Sequence, residues 1–192
     1  MVQLDKIYTR AGDGGRTRLA TGEEVDKFGL RVEAYGGVDE LNAAIGVVRL
    51  HSTTHALLDP MLARIQNDLF DLGADLATPE RAEPLPFEAL RIQPSQVERL
   101  EREIDMLNED LPPLKSFVLP AGEPIAAHLH MARTICRRAE RRVAELSFAP
   151  GENVSPAALH YLNRLSDLLF VASRFVNIAG GGEVLWVPAA GR

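Results

Sequence analysis

Cysteine is almost missing from this chain of 192 residues, with Cys136 the only one. A lone thiol excludes an internal disulfide and a Cys-rich metal site, and it fits a reducing compartment. Positive charge is also in deficit: 21 Lys and Arg stand against 27 Asp and Glu, a net charge of −6. That balance argues against nucleic acid or an anionic membrane surface as the general partner, so any anion site must be a local basic cluster. No apolar run approaches the roughly 20 residues needed to cross a bilayer, and Met1-Val2-Gln3-Leu4-Asp5-Lys6 lacks the apolar core of a secretory signal. The expectation is a soluble, cytoplasmic protein. Internal repeats and low-complexity tracts are absent as well, so organisation has to be read from periodicity.

What is present is an apolar content of 46%, enough for one substantial core and too short a chain to argue for two. Residues 1–36 are rich in glycine, threonine and arginine without helical period, and read as loop with short extended pieces. From Val38, apolar positions Leu41, Ile45 and Val48 recur at three- and four-residue steps, predicting a first helix that ends near Leu50. Leu58, Leu62, Ile65, Leu69, Leu72 and Leu76 form a bundle-type seam on a second. Pro79, Pro84, Pro86 and Pro94 then break helix and predict an exposed connection over 78–94, of the kind that serves as a lid or stays disordered.

A third helix is expected at Ser95-Gln96-Val97-Glu98, where Ser95 and Glu98 have capping-box spacing, with Val97, Leu100, Ile104 and Leu107 as its buried stripe. Pro124 suits a first helical turn, and Ile125, Leu129, Ala132, Cys136, Ala139, Val143 and Leu146 mark a fourth helix. The fifth opens at Ser155-Pro156, runs through Leu159, Leu162, Leu165, Leu169, Ala172 and Val176, and stops at Gly180-Gly181-Gly182. Five amphipathic helices without a convincing strand pattern predict an all-α, up-and-down five-helix bundle over 37–179, with 1–36 as a leader and 180–192 as a tail.

Three constellations could carry chemistry. Thr9-Arg10-Ala11-Gly12-Asp13-Gly14-Gly15-Arg16-Thr17-Arg18 combines glycines that turn backbone N–H groups toward an anion with hydroxyls and guanidinium groups suited to phosphate. It lacks the Walker A spacing and the strand-loop-helix context, and in isolation such a segment is more often an ordinary glycine-rich terminal loop. Arg133, Arg137, Glu140 and Arg141 share one face of the fourth helix, either as an anion site or as a solvated basic stripe. Arg133 flanks the apolar seam, so its guanidinium, if buried, needs a partner; a carboxylate from a neighbouring helix would serve, and Asp39 is the candidate. Asn163 and Asp167, one turn apart on the fifth helix, can orient a nucleotide or hold bundle register. Histidine metal ligation is unsupported: His51 and His55 sit at a helix end without carboxylates, His128 and His130 point to different faces, and the E-x-x-H pairs of di-iron bundles are lacking. Cys136 reads as core, and Trp186 as a residue that docks the tail or helps close a pocket.

Taken in order, T-R-A-G-D-G-G-R-T (Thr9 to Thr17), Y-G-G-V-D-E-L-N (Tyr35 to Asn42), F-V-L-P (Phe117 to Pro120), A-R-T-I-C-R-R-A-E-R (Ala132 to Arg141) and L-N-R-L-S-D (Leu162 to Asp167) resemble the PduO-type cobalamin adenosyltransferases. Nearly the whole chain is covered. The resemblance implies transfer of a 5′-deoxyadenosyl group from ATP to cob(I)alamin by a homotrimer that binds ATP between subunits. Thr9, Arg10, Ala11, Gly12, Thr17, Arg18 and Lys27 would contact ATP together with Arg137, Arg138, Glu140, Arg141 and Asn163. Mg²⁺ would bridge the phosphates, with no protein ligands to it assigned. Asp39 and Arg133 match an inter-subunit ion pair, Phe117 an aromatic residue beside the corrin, and Arg137 a group that stabilises the departing triphosphate. Implied partners are a corrinoid reductase and an adenosylcobalamin-dependent enzyme. The rival reading is a non-catalytic carrier or regulatory bundle that binds nucleotide or corrinoid.

Overall fold

The computed structural model describes residues 7–80 and 85–191. The hexapeptide read above as lacking a secretory signal, Pro84 of the proline-rich connection, and Arg192 lie outside that range. Five helices follow a short hairpin: β1 (Arg16–Arg18), β2 (Glu24–Asp26), α1 (Leu30–Arg49), α2 (Leu58–Leu76), α3 (Pro94–Asn108), α4 (Pro124–Ser147) and α5 (Pro156–Gly180). The all-α reading therefore stands, with the hairpin as its only sheet among the described residues. No described helix is long and apolar enough to cross a membrane.

The helices run up and down. Asn42 of α1 donates to the Gln66 carbonyl of α2 and Arg49 to Asp59, so rising numbers meet falling ones. The same antiparallel register holds between α4 and α5, where Cys136 faces Leu162 and His130 faces Ser173. α4 is central and packs against both α1 and α5, while α3 lies on α5. Its small seam permits this: Ala126, Ala132, Cys136 and Ala139 are fully buried. A Cβ added at Gly37 would lie 3.4 Å from the Ala139 Cα, so the two backbones are already in near contact there.

That contact corrects the expected helix start. α1 begins at Leu30 rather than Val38, and Gly36 and Gly37 sit inside it. Glycine costs about 1 kcal/mol in a helix interior, but close packing of α1 on α4 and burial of Arg31 and Ala34 outweigh it. The α3 cap is also corrected. Gln93 is the N-cap and Gln96 closes the capping box; Ser95 and Glu98, expected in those roles, lie inside the helix. Ser155, by contrast, caps α5 through the Ala158 N–H at 3.2 Å, with Pro156 in the first turn as expected.

Buried polar groups hold the helices in register. Asp68 accepts from the Tyr161 hydroxyl at 3.0 Å and from Gln96 at 2.8 Å, linking α2, α5 and α3. Burial, with the adjacent Asp68 carboxylate, pushes the Tyr161 phenol well above its usual range, so it stays a donor. Asp75 accepts from Arg91 and from the Ile92 N–H, which fastens residues 91–92 of the proline-rich connection to the end of α2.

Arg49 donates twice to Asp59, and the Ser52 hydroxyl adds a third bond to the same carboxylate. These contacts hold the Asp59 carboxyl below its ordinary value. A depressed carboxylate contributes stability above its unfolded pKa of about 3.9 and loses that contribution as pH falls through its folded value. Asp59→Asn should therefore lower Tm at pH 7, with the gap from wild type closing below about pH 4 in thermal melts.

Candidate active site

The leader is folded by its glycines. Gly15 (φ +79°) and Gly22 (φ +84°) take left-handed conformations, Gly22 in the turn between β1 and β2. The hairpin pairs Thr17 with Val25, and Lys27 N–H returns to the Gly15 carbonyl at 2.9 Å. A Cβ at Gly12 would stand 2.8 Å from the Lys27 Nζ, so a glycine there lets the ammonium lie against the leader's backbone. Thr17 faces the Tyr35 phenol of α1, whose pKa burial pushes up while the neighbouring hydroxyl opposes the shift. The Ala20 N–H adds a bond to the Ala77 carbonyl at 3.0 Å, the end of α2.

Three adjoining clefts result. One, of about 370 Å³, is lined by Thr9, Ala11, Gly12, Thr17 and Arg18. A second, of about 340 Å³, brings Lys27 together with Gly36, Gly37, Arg138 and Arg142. The third is formed by Arg138, Arg141, Arg142 and Glu145 on the outer face of α4. Lys27 thus sits between the glycine-bearing leader and the α4 arginines, and Arg138 belongs to two of the three clefts. Arg138 is ion-paired with Glu40, which orients its guanidinium along α1. Such a basic, partly exposed rim is suited to a polyphosphate.

Other sequence candidates fall elsewhere. Arg10, with φ +62°, carries its guanidinium over the Tyr8 ring at 5.9 Å, and does not line these clefts. Arg137 is exposed, one turn before Arg141, which donates to its carbonyl at 3.1 Å. Asn163 donates to Glu140 at 2.7 Å, and Arg164 donates to the Asn163 Oδ1, so the amide orientation is set by a residue that spacing alone did not single out. Its only signal was its place within L-N-R-L-S-D. Arg31 was likewise missed. It is buried, bonded to the Leu76 carbonyl at 2.6 Å and to Glu152, and clamps the start of α1 to the end of α2 and to the connection between α4 and α5.

Asp39 and Arg133 do not meet within one chain. Asp39 is exposed at the rim of a cleft of about 400 Å³ with Tyr35, Asn42 and Phe70. The Arg133 Nε is buried without a hydrogen-bond partner, and burial, then the nearby Arg137, push its pKa down. The intrachain contact is therefore absent among the described residues.

Phe117 lies seven residues before α4, at the opposite end from the leader. Its backbone pairs with the tail: Trp186 N–H donates to the Phe117 carbonyl and Leu119 N–H to the Val184 carbonyl, both at 2.8 Å. The Trp186 ring meets the Phe117 ring edge-on at 5.9 Å, so the tail docks here, yet Phe117 stays 76% exposed. Cys136 is fully buried against the Leu162 carbonyl, and burial drives its thiol pKa far up, which makes it inert core. His51 stacks on His128 at 5.0 Å.

Residues 7–176 match the family model described as cobalamin adenosyltransferase. The corrinoid adenosyltransferase of Mycobacterium tuberculosis is 48% identical over 191 residues, covering 100% of this chain and 97% of the relative. The cobalamin adenosyltransferase of Cupriavidus metallidurans is 44% identical, with 96% and 95% covered. Among solved structures, a variant of the PduO-type ATP:corrinoid adenosyltransferase from Lactobacillus reuteri, complexed with cobalamin and ATP, superposes with a TM-score of 0.84 at 38% identity, covering 94% of this chain and 99% of that one. With agreement in sequence and fold over nearly its whole length, this chain belongs to the cobalamin adenosyltransferase family.

Proposed function

We infer that this chain transfers the 5′-deoxyadenosyl group of ATP to the cobalt of cob(I)alamin, releasing triphosphate. The observation that carries this reading is the meeting of Lys27, held against Gly12, with Arg138 and Arg142 across one cleft between leader and α4. Cob(I)alamin is a strong nucleophile and needs no general base; the protein's task is to place cobalt in line with C5′. The cobalt electron pair forms the Co–C bond while the C5′–O bond breaks, and that bonding pair leaves with the triphosphate. Negative charge grows on the leaving oxygens, where Arg137, Arg138, Arg141 and Lys27 stabilise it. Thr9, Ala11, Gly12, Thr17 and Arg18 would seat the phosphates, and Glu140 and Asn163 the nucleoside.

No cluster of three or more His, Cys, Asp or Glu side chains able to hold a metal occurs among the described residues. Mg²⁺ would be held mainly by phosphate oxygens, the usual mode for this ion beside a nucleotide. A reductase that delivers an electron to cobalt and an enzyme that uses adenosylcobalamin are the expected partners, in the cytoplasm.

The exposed Asp39 and the unpartnered, half-buried Arg133 support a homotrimer in which one subunit's Asp39 meets the next subunit's Arg133. Pairing would satisfy a guanidinium that burial otherwise penalises. Asp39→Arg should convert the trimer to monomer and abolish activity, while Asp39→Arg combined with Arg133→Asp should restore both in part. Analytical ultracentrifugation reads the mass, and an unrestored double variant would count against the pair.

The activity itself is tested by incubating the protein with ATP, Mg²⁺ and chemically reduced cobalamin and following the adenosylcobalamin spectrum. ATP and corrinoid binding without conversion would favour a carrier instead.

A further inference from the structure

Two polar atoms of α4 are sealed inside the structure with no hydrogen-bond partner: His130 Nδ1 and Arg133 Nε. They are three residues apart on one helix and so lie on the same face. The environment of His130 decides its tautomer. Its side chain is 1% exposed and its Nε2 lies 3.1 Å from the Ser173 Oγ. Ser173 has one hydroxyl proton, and donates it to the Phe170 carbonyl at 2.6 Å. The Oγ must therefore accept, Nε2 must carry the proton, and Nδ1 is left as a bare lone pair. An orphan acceptor and an orphan N–H donor thus share one buried face, where each left alone would be costly.

We propose that His130 is a positioning residue for Arg133: its Nδ1 accepts from one enclosed water that in turn accepts the Arg133 Nε–H, and this bridge aims the guanidinium out of the bundle. The assignment divides the guanidinium's donors. Nε–H is held from within, and both Nη groups stay available for the carboxylate of Asp39 in the partner subunit, so this inference rests on the role given to Arg133 above.

The groups around the imidazole keep it neutral. Ser173 and the Phe170 ring, edge-on at 6.2 Å, face it from α5, Arg133 from α4 and Glu183 from the segment after α5. Glu183 is itself bonded to Arg174. Burial chiefly, then the Arg133 charge, lower the His130 pKa, with Glu183 opposing them. Protonation would remove the lone pair and set a cation beside Arg133, releasing it; the contact is present at neutral pH and lost on acidification.

Two substitutions separate the ring nitrogens. His130→Asn keeps an acceptor near the Nδ1 position and drops the Ser173 contact, whereas His130→Gln keeps a polar group toward Ser173 and drops Nδ1. Nitrogen-detected exchange of the Arg133 Nε–H, assigned by its loss in Arg133→Lys, reports the bond independently of activity. Wild type and the Asn variant should show slow exchange and kcat values within about threefold of each other. The Gln variant should exchange at least tenfold faster and lose kcat about tenfold at unchanged ATP KM. The acid limb of wild-type kcat should be missing in the Asn variant. Ser173→Ala, which leaves the imidazole in place but frees its tautomer, should speed exchange in the same way and serves if the Gln variant does not fold. Equal exchange in the Asn, Gln and wild-type proteins would overturn the proposal. Fast exchange in the Gln variant with kcat unchanged would leave the hydrogen bond standing and overturn the role given to Arg133.

Discussion

Replacing Arg137 by alanine should slow adenosyl transfer by roughly 10²- to 10³-fold, the range found when one donor to a developing oxyanion is removed. The side chain is exposed and has no carboxylate partner among the described residues, so the fold does not depend on it. Exposed substitutions of this kind change stability by about 0.5 kcal/mol or less. Tm should therefore stay within a degree or two of wild type while kcat collapses, a separation no packing defect would produce. Arg137→Lys should fall between, because an ammonium retains the charge but not the planar fork that grips two phosphate oxygens. Stopped-flow formation of adenosylcobalamin from chemically reduced cobalamin measures the step without the reductase. An alanine variant as fast as wild type would remove Arg137 from the chemistry and leave the other α4 arginines and Lys27 as the phosphate-binding set.

Phe117→Ala should act on a different step. The ring is mostly exposed, braced only by Trp186 at its edge and by the strand-like pairing of 117–119 with 184–186. Large exposed aromatic surface on an anchored backbone is a binding surface in waiting. If the ring forms the apolar wall that displaces the lower axial ligand of cob(II)alamin, its loss forfeits about 1.5–3 kcal/mol of apolar burial, or roughly 10- to 150-fold in the population of the four-coordinate form. Reduction of bound cob(II)alamin should slow by that factor, and the four-coordinate signal in its electron paramagnetic resonance spectrum should shrink. Transfer from pre-reduced cob(I)alamin should suffer less. Trp186→Ala, which loosens the brace but keeps the wall, should give a smaller effect on both.

Helix identity was legible because each stripe repeats every three or four residues: Leu58 to Leu76 on α2 and Ile125 to Leu146 on α4 coincide with buried faces. Caps at Ser155-Pro156 and Pro124 were readable for the same local reason. The α1 start was not, since two glycines in sequence look like a break, and the approach of Ala139, which accounts for Gly37, is a tertiary contact. Nor was the α3 cap, where Gln93 and Gln96 take the roles for which Ser95 and Glu98, at the same spacing, are the more usual residue types. Arg31 and Arg164 escaped because their partners, Glu152 and Glu101, are 121 and 63 residues away.

Local composition and period thus determined the all-helical class, the solvent-facing arginines of α4 and the glycine-bearing leader, because these depend on residues within a few turns of one another. Tertiary structure alone decided that Lys27 lines one cleft with Arg138, that the tail braces Phe117, and that Asp39 and Arg133 stay apart within one chain. Such outcomes depend on which helix faces meet and in what register, and that is set by the sum of many weak contacts among distant side chains, with no short motif to record it.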